Sequence, residues 1–78
     1  MDRFSRVTEI IVDILEVDES EVKAEATLEM DLGADELDIV GILMDVEDEY
    51  NVTFDDSDLA EIKTVDDILK AIIRRQGK

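Results

Sequence analysis

From Phe4 to Leu15 the apolar residues Phe4, Val7, Ile11, Ile14 and Leu15 recur at steps of three and four, with Ile10 beside them. That spacing predicts one face of an amphipathic helix. A polar stretch from Glu16 to Glu25 follows, broken by Val17 and Val22, and Asp18 to Glu21 predicts a short helical turn that anchors Val22. Ala26 to Gly33 reads as a long loop pinned by Leu28, Met30 and Leu32, with Gly33 supplying permissive backbone where the chain turns towards the next helix. Asp35 is a good N-cap, and Asp38 three residues later completes a shortened capping box. A helix from Glu36 to about Tyr50 follows, with Asn51 as its left-handed terminator.

Phe54 to Ile62 predicts a short third helix, capped by Asp55 or Asp56. In the last helix Thr64 is the cap, and Val65, Ile68, Leu69, Ile72 and Ile73 form an apolar stripe. Asp66 and Asp67 suit its positive end, and Arg74 and Arg75 its negative end. The chain shows no internal repeat, low-complexity tract or linker. The economical architecture is one all-α domain over residues 1–78, a small four-helix bundle of three main helices plus one short helix.

The second helix is unusual in having two apolar faces. At about 100° per residue, Ile39, Leu43, Val46 and Tyr50 cluster on one side with Ile42 at its edge. Leu37, Val40 and Met44 form a second stripe roughly opposite, with Gly41 and Asp48 along it and Glu47 at its margin. Asp38, Asp45 and Glu49 form an acidic flank between the faces. The second stripe has two readings. It packs beneath the long loop through Leu28 and Leu32, or it stays exposed as an apolar patch rimmed by carboxylates. The second arrangement suits a partner with an apolar pocket and Arg or Lys around it.

Charge bears on that choice. The chain of 78 residues has 23 acidic and 8 basic side chains, a formal net charge of −15, and no Cys, His, Pro or Trp. Between Ala24 and Ile62 lie fourteen acidic residues and no basic one, whereas the flanks are nearly neutral. Such a run forms either a solvated surface or an electrostatic face for basic partners. It argues against nucleic-acid binding, because phosphates would be repelled. Without Cys and His, disulfides, thiolate nucleophiles, Cys-ligated zinc and the commonest general base are absent. No apolar run approaches the roughly 20 residues of a membrane span, and Asp2, Arg3 and Arg6 around Phe4 do not make a signal-peptide core. A cytoplasmic monomer without membrane attachment is expected. No specific metal site is expected either. Counted from Asp31, an EF-hand would need Gly at Glu36 and Glu at Ile42. Weak, non-specific divalent binding to the acidic face remains an expectation.

Asp31-Leu32-Gly33-Ala34-Asp35-Glu36-Leu37-Asp38 closely resembles the D-L-G-A-D-S-L-D signature of acyl carrier proteins. The resemblance extends through Met44, Glu47-Asp48-Glu49-Tyr50 and Ile62-Lys63-Thr64-Val65, and covers essentially the whole chain. It implies a bundle that carries acyl chains on a phosphopantetheine arm. It also implies a second helix that docks basic-patched synthases, reductases and transferases, here through Asp35, Leu37, Asp38, Val40, Gly41, Met44, Glu47 and Asp48. Positions matching the family's acyl cavity are Val7, Ile11, Ile39, Leu43, Val46, Phe54, Leu59, Ile62 and Ile68, although apolar residues at helical spacing are usually plain core.

The one mismatch in the signature falls on the serine that accepts the arm, where this chain has Glu36. A carboxylate cannot form that phosphodiester, so the resemblance implies a chain that stays apo, with no covalent cofactor. Glu36 fits an introduced change, a natural divergence, or an acid that favours the first helical turn through the dipole. Gly41 also departs from the family, which commonly has an acid there. The competing readings are a divergent non-carrier interaction or regulatory module and an acidic cation-binding module; carboxylates alone do not define an enzyme. Crowded carboxylates predict that millimolar Ca²⁺ or Mg²⁺ raises the melting temperature by screening. A melting curve indifferent to both ions would contradict this.

Overall fold

The computed structural model describes residues 2–77. Helix α1 spans Arg3–Leu15, a 3₁₀ turn Glu19–Glu21, α2 Glu36–Tyr50, α3 Asp56–Glu61 and α4 Val65–Gln76. The described residues contain no strand, only an isolated antiparallel bridge between Thr27 and Thr64.

Each helix starts at an acceptor side chain. Asp2 caps α1 by accepting from the Ser5 N–H at 2.8 Å. Reciprocal capping boxes open α2 (Asp35 with Asp38), α3 (Asp55 with Asp58) and α4 (Thr64 with Asp67), satisfying amides that have no partner within the helix. The third helix therefore begins at Asp56, later than the apolar pattern suggested, because Asp55 takes the cap. Glu16 and Asn51 adopt left-handed backbone after α1 and α2, at φ 57° and 56°. Gly33 turns the loop at φ +75°.

Packing refines the apolar faces. Val7 and Ile11 of α1, Ile42 and Val46 of α2, and Val65, Ile68, Ala71 and Ile72 of α4 are fully buried. Ile42 is thus central to the buried face of α2, not at its edge, because α1 packs most extensively against that side. In α4 the stripe is corrected in the same way. Ala71 is buried, whereas Ile73 is exposed, since it points about 140° from the centre of the buried arc. Val22 is buried beneath the 3₁₀ turn, as its anchoring role required. Of the three residues expected to pin the loop, Leu28 and Leu32 do so, but Met30 stands 86% exposed.

The long connection is fastened to the α3–α4 junction by backbone hydrogen bonds. The Leu28 N–H donates to the Lys63 carbonyl at 2.9 Å, Val65 N–H to Ala26 at 3.1 Å, and Asp66 N–H to Ala24 at 2.9 Å. Within the loop, Thr27 and Asp31 exchange two bonds, and the Ala34 N–H donates to the Leu28 carbonyl at 2.8 Å. The entrance to α2 is held at a fixed distance from the start of α4.

Gly41 lies on the α1 side of α2. A Cβ there would meet only Ile14 Cδ1, at 3.8 Å, an ordinary contact. Gly41→Ala is therefore expected to stabilise the protein by about 1 kcal/mol, the helix-propensity difference, read from the urea midpoint. A loss of stability would show that α1 and α2 need the closer approach.

Candidate functional site

Around α2 the exposed arc and the buried arc are cleanly separated. Leu37 is 81% exposed, Met44 59% and Val40 46%. The second stripe is therefore a surface feature, and the long loop does not cover it. The loop's own apolar residues turn inward at Leu28 and Leu32, leaving Met30 outside with the stripe.

Beside this stripe runs an open groove of about 510 Å³ between α2, α3 and the long loop. Ile39 and Leu43 of α2, Leu59 of α3, Leu28 of the loop and Ile62 form its apolar lining. Glu36 and Val40, on the adjoining edge of α2, line it with Thr27, Glu29, Met30 and Lys63. Val40 belongs to both the stripe and the groove, so the two surfaces are continuous. Glu36, the first residue of α2 after the Asp35 cap, is exposed beside the groove.

Of the nine cavity residues expected from the resemblance, Ile39, Leu43, Leu59 and Ile62 line the groove. Val7, Ile11, Val46 and Ile68 do not; they are fully buried in the interlocked core of α1, α2 and α4. Phe54 is also core, and its N–H donates to Glu47 Oε2 at 2.7 Å. Glu47, expected on a partner face, is half-buried and holds the end of the α2–α3 connection, just before α3. Gly41 is half-buried, with Ile14 Cδ1 3.8 Å from where a Cβ would stand. Asp38 is half-buried and accepts weakly from the Asp35 N–H at 3.3 Å, so its carboxylate is shared with the cap. Asp35, Leu37, Val40, Met44 and Asp48 are exposed. The loop members of the lining were not expected, because they reach the groove only through the long-range pairing of Leu28 with Lys63.

Folding also redistributes the charge. Arg6 of α1 reaches Glu49 at 3.0 Å and Glu9 at 2.7 Å. Hydrogen bonding to Arg6 holds the Glu49 carboxyl below its ordinary range. In the last turn of α4, Arg74 and Arg75 were read as charges complementing the helix dipole, but both converge on Asp58, a contact that sequence spacing did not reveal. Within the central acidic run, Glu49, Asp55, Asp58 and Glu61 thereby gain basic neighbours. No basic side chain among the described residues lies within 4.0 Å of Asp35, Glu36, Asp38, Asp45, Glu47 or Asp48. Six carboxylates at the cap and along α2 therefore border the apolar stripe without a basic partner among the described residues.

The described residues form a short-helix bundle in which an acidic, apolar-striped helix borders an open groove. Residues 5–72 match the family described as phosphopantetheine attachment site, and the chain belongs to that family. The acyl carrier protein of Thermotoga maritima is 51% identical over 74 residues, which cover 95% of this chain and 91% of that protein. The matched region contains all of α2 and both walls of the groove. No helix among the described residues is long and apolar enough to cross a membrane.

Exposure separates framework from site in a measurable way. Leu37→Gln and Met44→Gln are each expected to shift unfolding free energy by less than about 0.5 kcal/mol, as surface changes do. Leu28→Ala should cost about 2–5 kcal/mol, because its side chain is 1% exposed. Urea titration of the three variants checks the contrast, and a large loss at Met44 would place it in the core.

Proposed function

We propose that this chain is an acyl-carrier-type protein of acyl biosynthesis, not a catalyst, that docks basic enzymes through α2 and remains apo. The observation that carries this reading is Glu36. It stands immediately after the helix cap, exposed beside the groove, where the family signature has its attachment serine. The residues there do not fit the arm: a carboxylate offers no alcohol oxygen for a phosphodiester. The chain's serines are placed elsewhere, Ser5 in α1, Ser20 in the 3₁₀ turn and Ser57 in α3, where it donates to Asp55 at 2.6 Å.

Docking rests on charge and shape together. The carboxylates of Asp35, Asp45 and Asp48, with no basic partner among the described residues, flank Leu37, Val40 and Met44 on one exposed arc. An enzyme with Arg or Lys around an apolar recess would be steered by the charge and held by burial of the stripe. Met44 adds a side chain that adapts to differently shaped partners. Because opposite charges bring the surfaces together, association should weaken as ionic strength rises.

Co-expression with a phosphopantetheinyl transferase is expected to leave the intact mass unchanged. The Glu36→Ser variant should gain the mass of one arm. A mass gain in the unaltered chain would sink the apo reading, whereas failure of Glu36→Ser would locate the defect in the docking face of α2.

A further inference from the structure

Helix α3 is attached to the bundle in a different way from the others. Six residues are too few to be helical alone in water, so α3 depends on what holds it down. An amphipathic helix is ordinarily held by an apolar face, yet the one buried side chain of α3 is a carboxylate, Asp58, at 2% exposure. Its only large apolar residue, Leu59, is 44% exposed and lines the groove. The apolar anchors lie just outside the helix, at Phe54 before it and Ile62 after it, both buried.

Between those anchors Asp58 is gripped by α4. Its Oδ1 accepts from Arg74 Nη2 at 2.5 Å, and its Oδ2 accepts from Arg75 Nε at 2.8 Å and from Arg75 Nη2. Arg75 Nη2 also lies 2.9 Å from Asp55 Oδ2, and Arg74 lies 3.9 Å from Glu61. The same Asp58 carboxylate accepts from the Asp55 N–H at 3.0 Å, so one group both caps the helix and docks it. Burial pushes the Asp58 carboxyl up, but the hydrogen bonds from Arg74, the backbone and Arg75 outweigh it and keep the group ionised.

We infer that Asp58, Arg74 and Arg75 form an ionic latch that holds α3 closed against the groove. When the latch is released, α3 loosens between Phe54 and Ile62, the Leu59 wall moves away, and the groove admits apolar ligands more readily. Helices α1, α2 and α4 keep their packing because their shared core contains no α3 side chain other than Asp58. The latch is independent of the chemistry at Glu36, which lies on the opposite wall.

Amide hydrogen exchange on Asp58→Asn and on the milder Arg75→Gln tests this, alongside titration with the neutral fluorophore N-phenyl-1-naphthylamine. The Leu59 and Ile62 amides, which donate within α3 to Asp55 and Asp58 at 3.1 Å, report on the helix directly. In each variant they should exchange at least about 10-fold faster than in the unaltered protein, while amides of α1, α2 and α4 change by less than about 3-fold. The fluorophore should bind at least about 3-fold more tightly, in keeping with an accessible apolar lining. Equal acceleration across all four helices would overturn the latch in favour of a general stabilising role. Unchanged exchange in α3, or a freed α3 with unchanged fluorophore binding, would overturn it as well. Arg75→Gln retains the Arg74 contact, so it supplies the same readings if Asp58→Asn does not fold.

Discussion

The docking of the long α1–α2 connection onto the α3–α4 junction controls the geometry on which the rest of the structure depends. Leu28 is the pivot, with its side chain in the core, its N–H on the Lys63 carbonyl, and its own carbonyl accepting from Ala34 just before α2. Backbone bonds from Val65 and Asp66 to Ala26 and Ala24 extend the seam. A connection of this length would otherwise leave buried amides without partners. Because the seam satisfies them, the start of α2 is held against the end of α3, and a groove opens between two walls contributed by distant parts of the chain.

That placement also explains how so acidic a chain arranges its charge. Carboxylates in the first turn of α2 are favoured by the helix dipole, whereas Glu47, Asp48 and Glu49 at its end oppose it. The fold relieves two of these: Glu49 meets Arg6, and Glu47 accepts from the Phe54 N–H. Arg6 reaches the end of α2 and Arg74 and Arg75 reach α3, and among the described residues no basic side chain pairs with the acids beside the exposed stripe of α2. Part of an acidic run spread over half the sequence is thereby placed beside the groove.

Glu36 and Asp58 show how one residue type takes opposite roles under different surroundings. Glu36 is exposed beside the groove, and no basic side chain among the described residues lies within 4.0 Å of it. Asp58 is sealed from water and tied to two guanidinium groups, so its chemistry is structural. Desolvation makes an unpaired buried carboxylate costly, which is why the second environment must supply partners and the first need not.

The amino-acid pattern by itself determined the helices, their caps and the two-faced character of α2, because these follow from neighbours three or four positions apart. Asp35 and Thr64 cap as the local spacing required, Asp55 takes the α3 cap that the spacing left open between it and Asp56, and Gly33 and Asn51 turn where a left-handed backbone was needed. The D-L-G-A-D-E-L-D segment likewise carried the family in a contiguous stretch. Only the tertiary structure decided which apolar residues are core and which line the groove, since Val46 and Leu43 look alike in sequence but face different neighbours. It also decided that Glu47 accepts the Phe54 N–H, and that Arg74 and Arg75 hold Asp58. Those outcomes depend on pairs of residues brought together by the loop seam and by helix packing, which no periodicity along the chain encodes.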